Sequence, residues 1–450
     1  VELTNCFAKS YDYRFFSGMV VAFCGVVVVL EIHSGIINTE QNRPIMGKAM
    51  LIVVFGITFV AGKTITGLNE RSLTLNETAV DHYNALIARN LASSGANMAI
   101  AKLFCDYSWQ SGFNDISLNG GKVTVNVQQI DFDTTLTISR VKVTAIGKFA
   151  GKTARVETVL GRPPFSYYAQ FTDNWPSTNY YVTGDTLYGP VHTNTRFNFS
   201  GTPVFYGKVS SVATTYGTSG ATNPQFLGGT EFGSGAIQLP LNADELEAAA
   251  ISGGDVYSSS VWLRFNADGS YNYGYDNTYS GGTKLLSSFN GTIMTTTGAD
   301  VHVKGTLNGQ VTIYSGRDLY IEDDIVYAQS PRQYPHSNDM LGLVAKKDVI
   351  VADNAANRSN VEIHGAIMAL NSKFYVQNYN VGSPRGTLTT LGSIIQVNRG
   401  TRGVFSLVNG VTTVVHGYRA KSLYDKRFLQ AGPPYFPLVP KIKVYSWSEK

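Results

Sequence analysis

Few side chains in this chain of 450 residues fall into patterns that carry chemistry. His192 lies seven residues after Asp185. A His/Asp pair suits acid–base catalysis, but the adjoining Thr193 and Asn194 suit a turn histidine, and a structural role is expected. Glu322, Asp323 and Asp324 form an acidic triplet. It is the most enzyme-like feature, because acidic clusters hold Ca²⁺. That ion takes about six to eight oxygens from several segments, more than one triplet supplies. His302 and His364 sit in short apolar runs, and two histidines do not make a metal centre. Cys6, Cys24 and Cys105 match neither zinc-binding nor Cys-x-x-Cys spacing. No P-loop, Gly-x-Ser-x-Gly or His-Glu-x-x-His pattern is present. The expectation is a non-enzyme with no catalytic residue, no metal and no cofactor.

Composition points the same way. Charged residues make up 15% of the chain, against about 25% in ordinary soluble domains. Gly (45) and Tyr (26), with abundant Thr, Ser and Asn, fill the difference. That mixture suits short strands joined by tight turns in an exported protein. A net charge of +4, scattered along the chain, excludes a nucleic-acid partner.

The elements that would position such a body begin with two apolar runs, Phe15 to Leu30 and Ala49 to Gly62. Each is shorter than the roughly 20 apolar residues of a spanning helix. The second continues into a helical pattern over Ile65 to Phe104, where Leu68, Leu75, Tyr83, Leu86, Leu91, Met98 and Leu103 recur at mostly helical spacing. No proline interrupts Ala49 to Phe104. One long helix is expected, apolar at its start and amphipathic later.

Residues 46–104 resemble the anchor of type IV pilin-like minor subunits. A Gly and a basic residue, Gly47 and Lys48, precede a hydrophobic helix. A stretch with Asn, Glu and Thr follows, and then an Ala-x-x-Gly-Ala-Asn-x-Ala segment at Ala92 to Ala99. The resemblance implies processing at Gly47/Lys48 and a membrane anchor made by Ala49, Leu51, Ile52, Val53, Val54, Phe55, Ile57, Phe59 and Val60. Ile52 stands where such pilins carry a Glu, so an uncleaved signal anchor is the alternative. Met46 directly before this segment is read as the natural start, with residues 1–45 a doubtful leader. The competing reading makes Phe15 to Leu30 a first membrane helix, with Arg43 and Lys48 on the cytoplasmic side.

After Trp109 the pattern changes to period 2 at Lys122 to Val127, Thr135 to Ile138, Val141 to Ile146 and Ala154 to Val159, which predicts a small antiparallel sheet over 109–162. Residues 163–400 are expected to form a right-handed β-helix-like body of short strands, interrupted near 212–290 by a loop insertion. That insertion carries one helix at Asn242 to Ala250, capped by Asn242. The tyrosine-rich stretch 270–282 reads as strand–turn–strand. Residues 401–450 are expected to make a hairpin across Asn409-Gly410 that caps the coil, and then an extended tail that Pro433, Pro434, Pro437 and Pro440 make unable to propagate a sheet. The body also resembles polymer-forming, bactofilin-like β-helices, and the whole resembles an uncharacterised bacterial family joining a pilin-like anchor to such a body.

The fold class is therefore mainly β behind a long N-terminal α-helix. The expected function is a structural or adhesive cell-surface protein, a type IV pilin-like minor subunit or fibre-associated protein anchored in the bacterial inner membrane. Its partners would be membrane lipid, other pilin-like or surface subunits and surface carbohydrate. The alternatives are a membrane-tethered carbohydrate-active enzyme and a bactofilin-like scaffold polymer.

Overall fold

The computed structural model describes residues 45–133, 138–408 and 411–450, with the side chains of 45–49, 131–138 and 407–412 left aside. The apolar run Phe15 to Leu30 and the possible leader lie outside the described residues, as do Thr135 and the Asn409-Gly410 turn. The protein is mainly β with one long N-terminal helix, α1 (Ile45–Cys105). It divides into two compact units, one ending at Thr78 and one covering Ala79–Lys450.

In the second unit, the later part of α1 packs on an antiparallel sheet of β1 (Phe113–Leu118), β2 (Gly121–Asp133), β3 (Ile138–Phe149) and β4 (Lys152–Gly161). Asn119-Gly120 and Ala150-Gly151 both have positive φ, the backbone that a tight two-residue hairpin turn requires. The sheet has a fifth strand. Lys443–Glu449 pairs antiparallel with β4, Lys443 opposite Gly161 and Glu449 opposite Val156. The expectation of a tail unable to propagate a sheet is thus corrected for the residues beyond Pro440. The prolines stop pairing only locally, and the chain beyond Pro440 has free N–H groups for a ladder.

The helix rests on the sheet through small residues. Ala88, Leu91, Ala92, Ala96, Ala99 and Leu103 are buried, at spacings of three and four that place them on one face. A Cβ at Gly95 would sit 2.4 Å from Val123 Cγ1, and one at Gly147 2.2 Å from the Ala88 carbonyl oxygen. Backbone meets backbone here, which only glycine and alanine permit.

Residues 170–423 build parallel ladders. One runs through Asp255–Tyr257, Thr292–Thr295, Gln310–Ser315, Met340–Ala345, the end of Val361–Ala369 and the end of Pro384–Asn398. It continues without a break into Gln170–Asn174, Val191–Thr193, Val209–Ser211 and Thr230–Phe232. A segment early in sequence thus stacks on the end of a later one. A second ladder joins Val261–Phe265, Val301–Leu307, Leu319–Tyr327, Val349–Val351 and Phe374–Val376. A third joins the later halves of Val301–Leu307 and Leu319–Tyr327 to Val361–Ala369, Pro384–Asn398 and Val411–Leu423.

Period 2 sorts the side chains. Ile293, Ile313, Leu343, Ile367 and Ile394 point into one core. Their neighbours Met294, Tyr314, Val344, Met368 and Ile395 point into another. The first ladder is therefore buried on both faces, and its strands read as continuous apolar runs. The second face is covered by residues brought from elsewhere: Ile237, Ala243, Leu246 and Ala250 on one side of the sequence, Phe428, Phe436 and Val439 on the other.

Residues 212–290 are not the expected loops. They contain the strands Gly217–Thr222, Gln225–Phe226, Thr230–Phe232, Asp255–Tyr257 and Val261–Phe265, and a helix, α2 (Asp244–Gly253). Gly, Ser and Thr mark this segment as loop only if strands must carry large residues on both faces. Short rungs need one inward residue each. The helix begins later than expected, with Ala243 rather than Asn242 as its N-cap and no side-chain cap bond. The tyrosine-rich stretch does form the expected strand–turn–strand, Ser270–Gly274 against Gly282–Leu285.

Candidate membrane-embedding helix surface

Among the described residues, the expected site residues that form one surface are on α1. Leu51, Ile52, Val53, Val54, Phe55, Ile57, Phe59 and Val60 are all exposed, from 52% for Val54 to 72% for Ile52. Gly47, Lys48 and Ala49 lie on the same helix, with their side chains outside the described residues. The apolar residues surround the helix instead of striping it. A helix apolar all round is one that its surroundings must bury, yet no described residue covers Met50 to Val60.

The polar residues within and after this girdle hide their hydroxyls. Thr58 donates to the Val54 carbonyl at 3.0 Å, Thr64 to Val60 at 2.8 Å and Thr66 to Gly62 at 3.1 Å. Such back-bonding removes the need for water at each threonine. By composition alone, an 18-residue window of this helix has mean hydropathy 1.9. At 1.5 Å per residue it is about 27 Å long, close to the roughly 30 Å of a bilayer's hydrocarbon core. The apolar run Ala49 to Gly62 is shorter because Lys63 ends it, and the longer window takes that one charge in.

The residues weighed for catalysis are dispersed. His192 Nδ1 lies 2.8 Å from Ser210 Oγ and Nε2 lies 3.0 Å from Asn194 Oδ1. Burial pushes its pKa down to about 4. Asp185 turns elsewhere and accepts the Val182 N–H at 2.8 Å. The acidic triplet also splits. Glu322 Oε1 is 2.6 Å from His302 Nδ1 and Oε2 accepts from Asn354, while Asp324 accepts the Glu362 N–H. His302 is stacked between Trp262 and Tyr320, at centroid distances of 4.0 and 4.7 Å. His364 lies on a different ladder and accepts the Tyr327 N–H. Among the described residues no group of three or more His, Cys, Asp and Glu is placed to hold a metal ion.

Two arrangements escaped the reading of the sequence. Asn194 clamps the backbone of Ile237, donating to its carbonyl at 2.7 Å and accepting its N–H at 2.9 Å. It thereby fixes the segment that crosses the first ladder's outer face. The carboxylates of Asp300, Asp318 and Asp348 each accept the backbone N–H one rung on, from Asp318, Asp348 and Lys373. Burial and the neighbouring carboxylates hold the Asp318 pKa above the usual range. The Asp300/Asp318/Asp348 row has irregular sequence spacing, so only the register reveals it.

Comparisons with known proteins add little to this geometry. Residues 133–214 match a family described as a domain of unknown function (DUF4900). No curated protein matches the chain in sequence. Among solved structures, the chain is similar to the competence-associated pilin ComZ from Thermus thermophilus. The identity is 12%, the match covers 82% of this chain and 97% of that one, and the TM-score is 0.34, a level of likeness on which no argument is built.

Proposed function

We propose that this chain is a pilin-like surface protein. The girdle from Met50 to Val60 is embedded in lipid or in the core of a filament, and residues 170–423 form a β-helical body displayed outside. The exposed, all-round apolar helix carries this reading. Satisfied threonine hydroxyls and a later helix seated on a sheet through small residues support it, and unbroken parallel ladders support the β-helical body. Its work is structural or adhesive: lipid and other subunits meet the helix, and the dispersal of His192, Asp185 and Glu322 favours a role without catalysis.

The test is fractionation of the full chain from bacterial membranes with alkaline carbonate. The unaltered chain is expected in the membrane pellet or in sheared filaments. Val54→Arg with Ile57→Arg puts two charges at mid-girdle, at about 2.5–3.5 kcal/mol each, and is expected to release it. Intact-mass analysis of the same material locates the mature terminus, and a start at Lys48 identifies pilin-type processing. An unaltered chain that stays in the soluble fraction would refute the reading.

A further inference from the structure

Where the two stacks of rungs join, the core changes character. One apolar core includes Ile394, Phe374 and Tyr418, and another includes Tyr181, Leu187, Val191 and Phe197. The rung between them is Gln170–Asn174, which pairs with Pro384–Asn398 on one side and Val191–Thr193 on the other. Register sets Gln170 between Ile394 and Val191, and Thr172 beside Gln396. Ladder partners share a face, so Gln170, Thr172 and Gln396 turn toward the cores. Thr172 and Gln396 are 0% exposed and Gln170 is 6% exposed. The loop after Gln396 adds two cations. Arg399 lies over Trp175 and Tyr181, 4.3 and 5.0 Å from the ring centroids, and Arg402 lies over Phe374 at 5.3 Å.

This cluster is rich in donors and short of acceptors. Gln170 Oε1 accepts the Tyr181 hydroxyl at 2.7 Å. Gln396 Oε1 accepts the N–H groups of Phe374 and Gly400 at 3.1 and 3.2 Å. Asp185, whose charge is felt by both arginines, accepts the Val182 N–H. Gln170 Nε2, Gln396 Nε2, Arg399 Nη1 and Arg402 Nε are buried and have no hydrogen-bond partner among the described residues, and Thr172 Oγ1 is in the same position. A buried donor left unpaired is costly, and a buried cation without an anion is costlier. Burial and the Arg399 charge hold the Arg402 pKa down to about 10, so both side chains stay cationic at neutral pH. Aromatic faces offset part of that charge but supply no lone pair. Water would bring hydrogens of its own into a site that lacks acceptors. An oxyanion brings acceptors alone, together with negative charge.

We propose that Gln170, Gln396, Arg399 and Arg402 hold a small inorganic oxyanion, phosphate or sulfate, at the joint between the two cores. Guanidinium groups match the oxygens of such an ion in shape as well as charge. The ion ties the loop 399–402 to the rung Gln170–Asn174, and so fastens together segments that lie far apart in sequence. The inference concerns the body alone and does not rest on the membrane reading.

The test uses the full chain, purified in mild detergent and desalted into a chloride buffer. Its thermal midpoint is expected to rise with added phosphate or sulfate, relative to chloride at equal ionic strength. The rise should be roughly 1–3 °C for each tenfold increase in free ion above the dissociation constant. Arg399→Gln and Arg402→Gln are each expected to lose most of that rise, whereas general salt effects act on every variant alike. Acid denaturation of the desalted chain, followed by ion chromatography, identifies which of the two ions is carried, at about one per chain. A midpoint that responds to phosphate and sulfate only as it does to chloride would overturn the inference. So would a rise undiminished in both variants, which places the ion elsewhere. If neither variant folds, the ion released from the unaltered chain decides: none released overturns the site.

Discussion

Gly147 offers the sharpest test of how α1 meets its sheet. An added Cβ would lie 2.2 Å from the Ala88 carbonyl oxygen, 2.5 Å from the Ala92 nitrogen and 2.9 Å from Leu91 Cβ. None of these atoms ends a flexible side chain, so the helix itself must move by about 1 Å. A gap of that size forfeits about a quarter to a half of each dispersion contact it opens, and overpacking costs typically about 1–3 kcal/mol. The lower unfolded-state entropy of alanine returns about 0.4–1 kcal/mol. The net loss expected for Gly147→Ala is about 1–2 kcal/mol. Because a chain with two units need not unfold in one step, the assay is amide hydrogen exchange, residue by residue. Exchange along Ala88 to Leu103 should quicken by about 5- to 30-fold, at a factor of ten per 1.4 kcal/mol. Gly67→Ala is the control: nothing lies within 4 Å of its Cβ, and helix propensity alone should slow local exchange by up to about fivefold. Unchanged exchange in Gly147→Ala, or the same response in both variants, would refute the close seating of helix on sheet.

Two further outcomes follow from the body. The pKa of His192 is depressed from 6.5 to about 4, so the unfolded state takes up a proton first. The stability that its neutral form lends is present above pH 6.5 and is lost as pH falls toward 4, by about 3 kcal/mol at 1.36 per unit. The denaturant midpoint should fall across that window in the unaltered chain and fall less in His192→Gln; an equal fall in both would refute it. Asn194→Ala leaves the Ile237 N–H and carbonyl without their partner, at about 1–3 kcal/mol. Proteolysis should then cut near residues 236–243 at least several-fold faster, and an unchanged cleavage rate would count against the clamp.

Much of the architecture was legible because it rests on period and composition. The helix of Ile45–Cys105 follows from an apolar run with no proline, and β2 to β4 follow from strict alternation. The apolar girdle was legible too, since a cluster from Leu51 to Val60 needs no tertiary knowledge to be seen. The segment 212–290 was misread because its rungs each need few large residues. The fate of the C-terminal residues was misread because the prolines at 433–440 say nothing about Lys443–Glu449 beyond them.

By itself, then, the sequence determined where the helix runs, that its start is apolar on every side, and that short strands follow. These are local properties, set by backbone preference and side-chain polarity over a few residues. Tertiary structure alone decided which strands meet. Register places Gln170–Asn174 on the end of Pro384–Asn398, lines up Asp300, Asp318 and Asp348, and parts His192 from Asp185. Pairing between distant segments depends on the closure of long loops and on the shared core they bury, and neither is written in any one stretch of the chain.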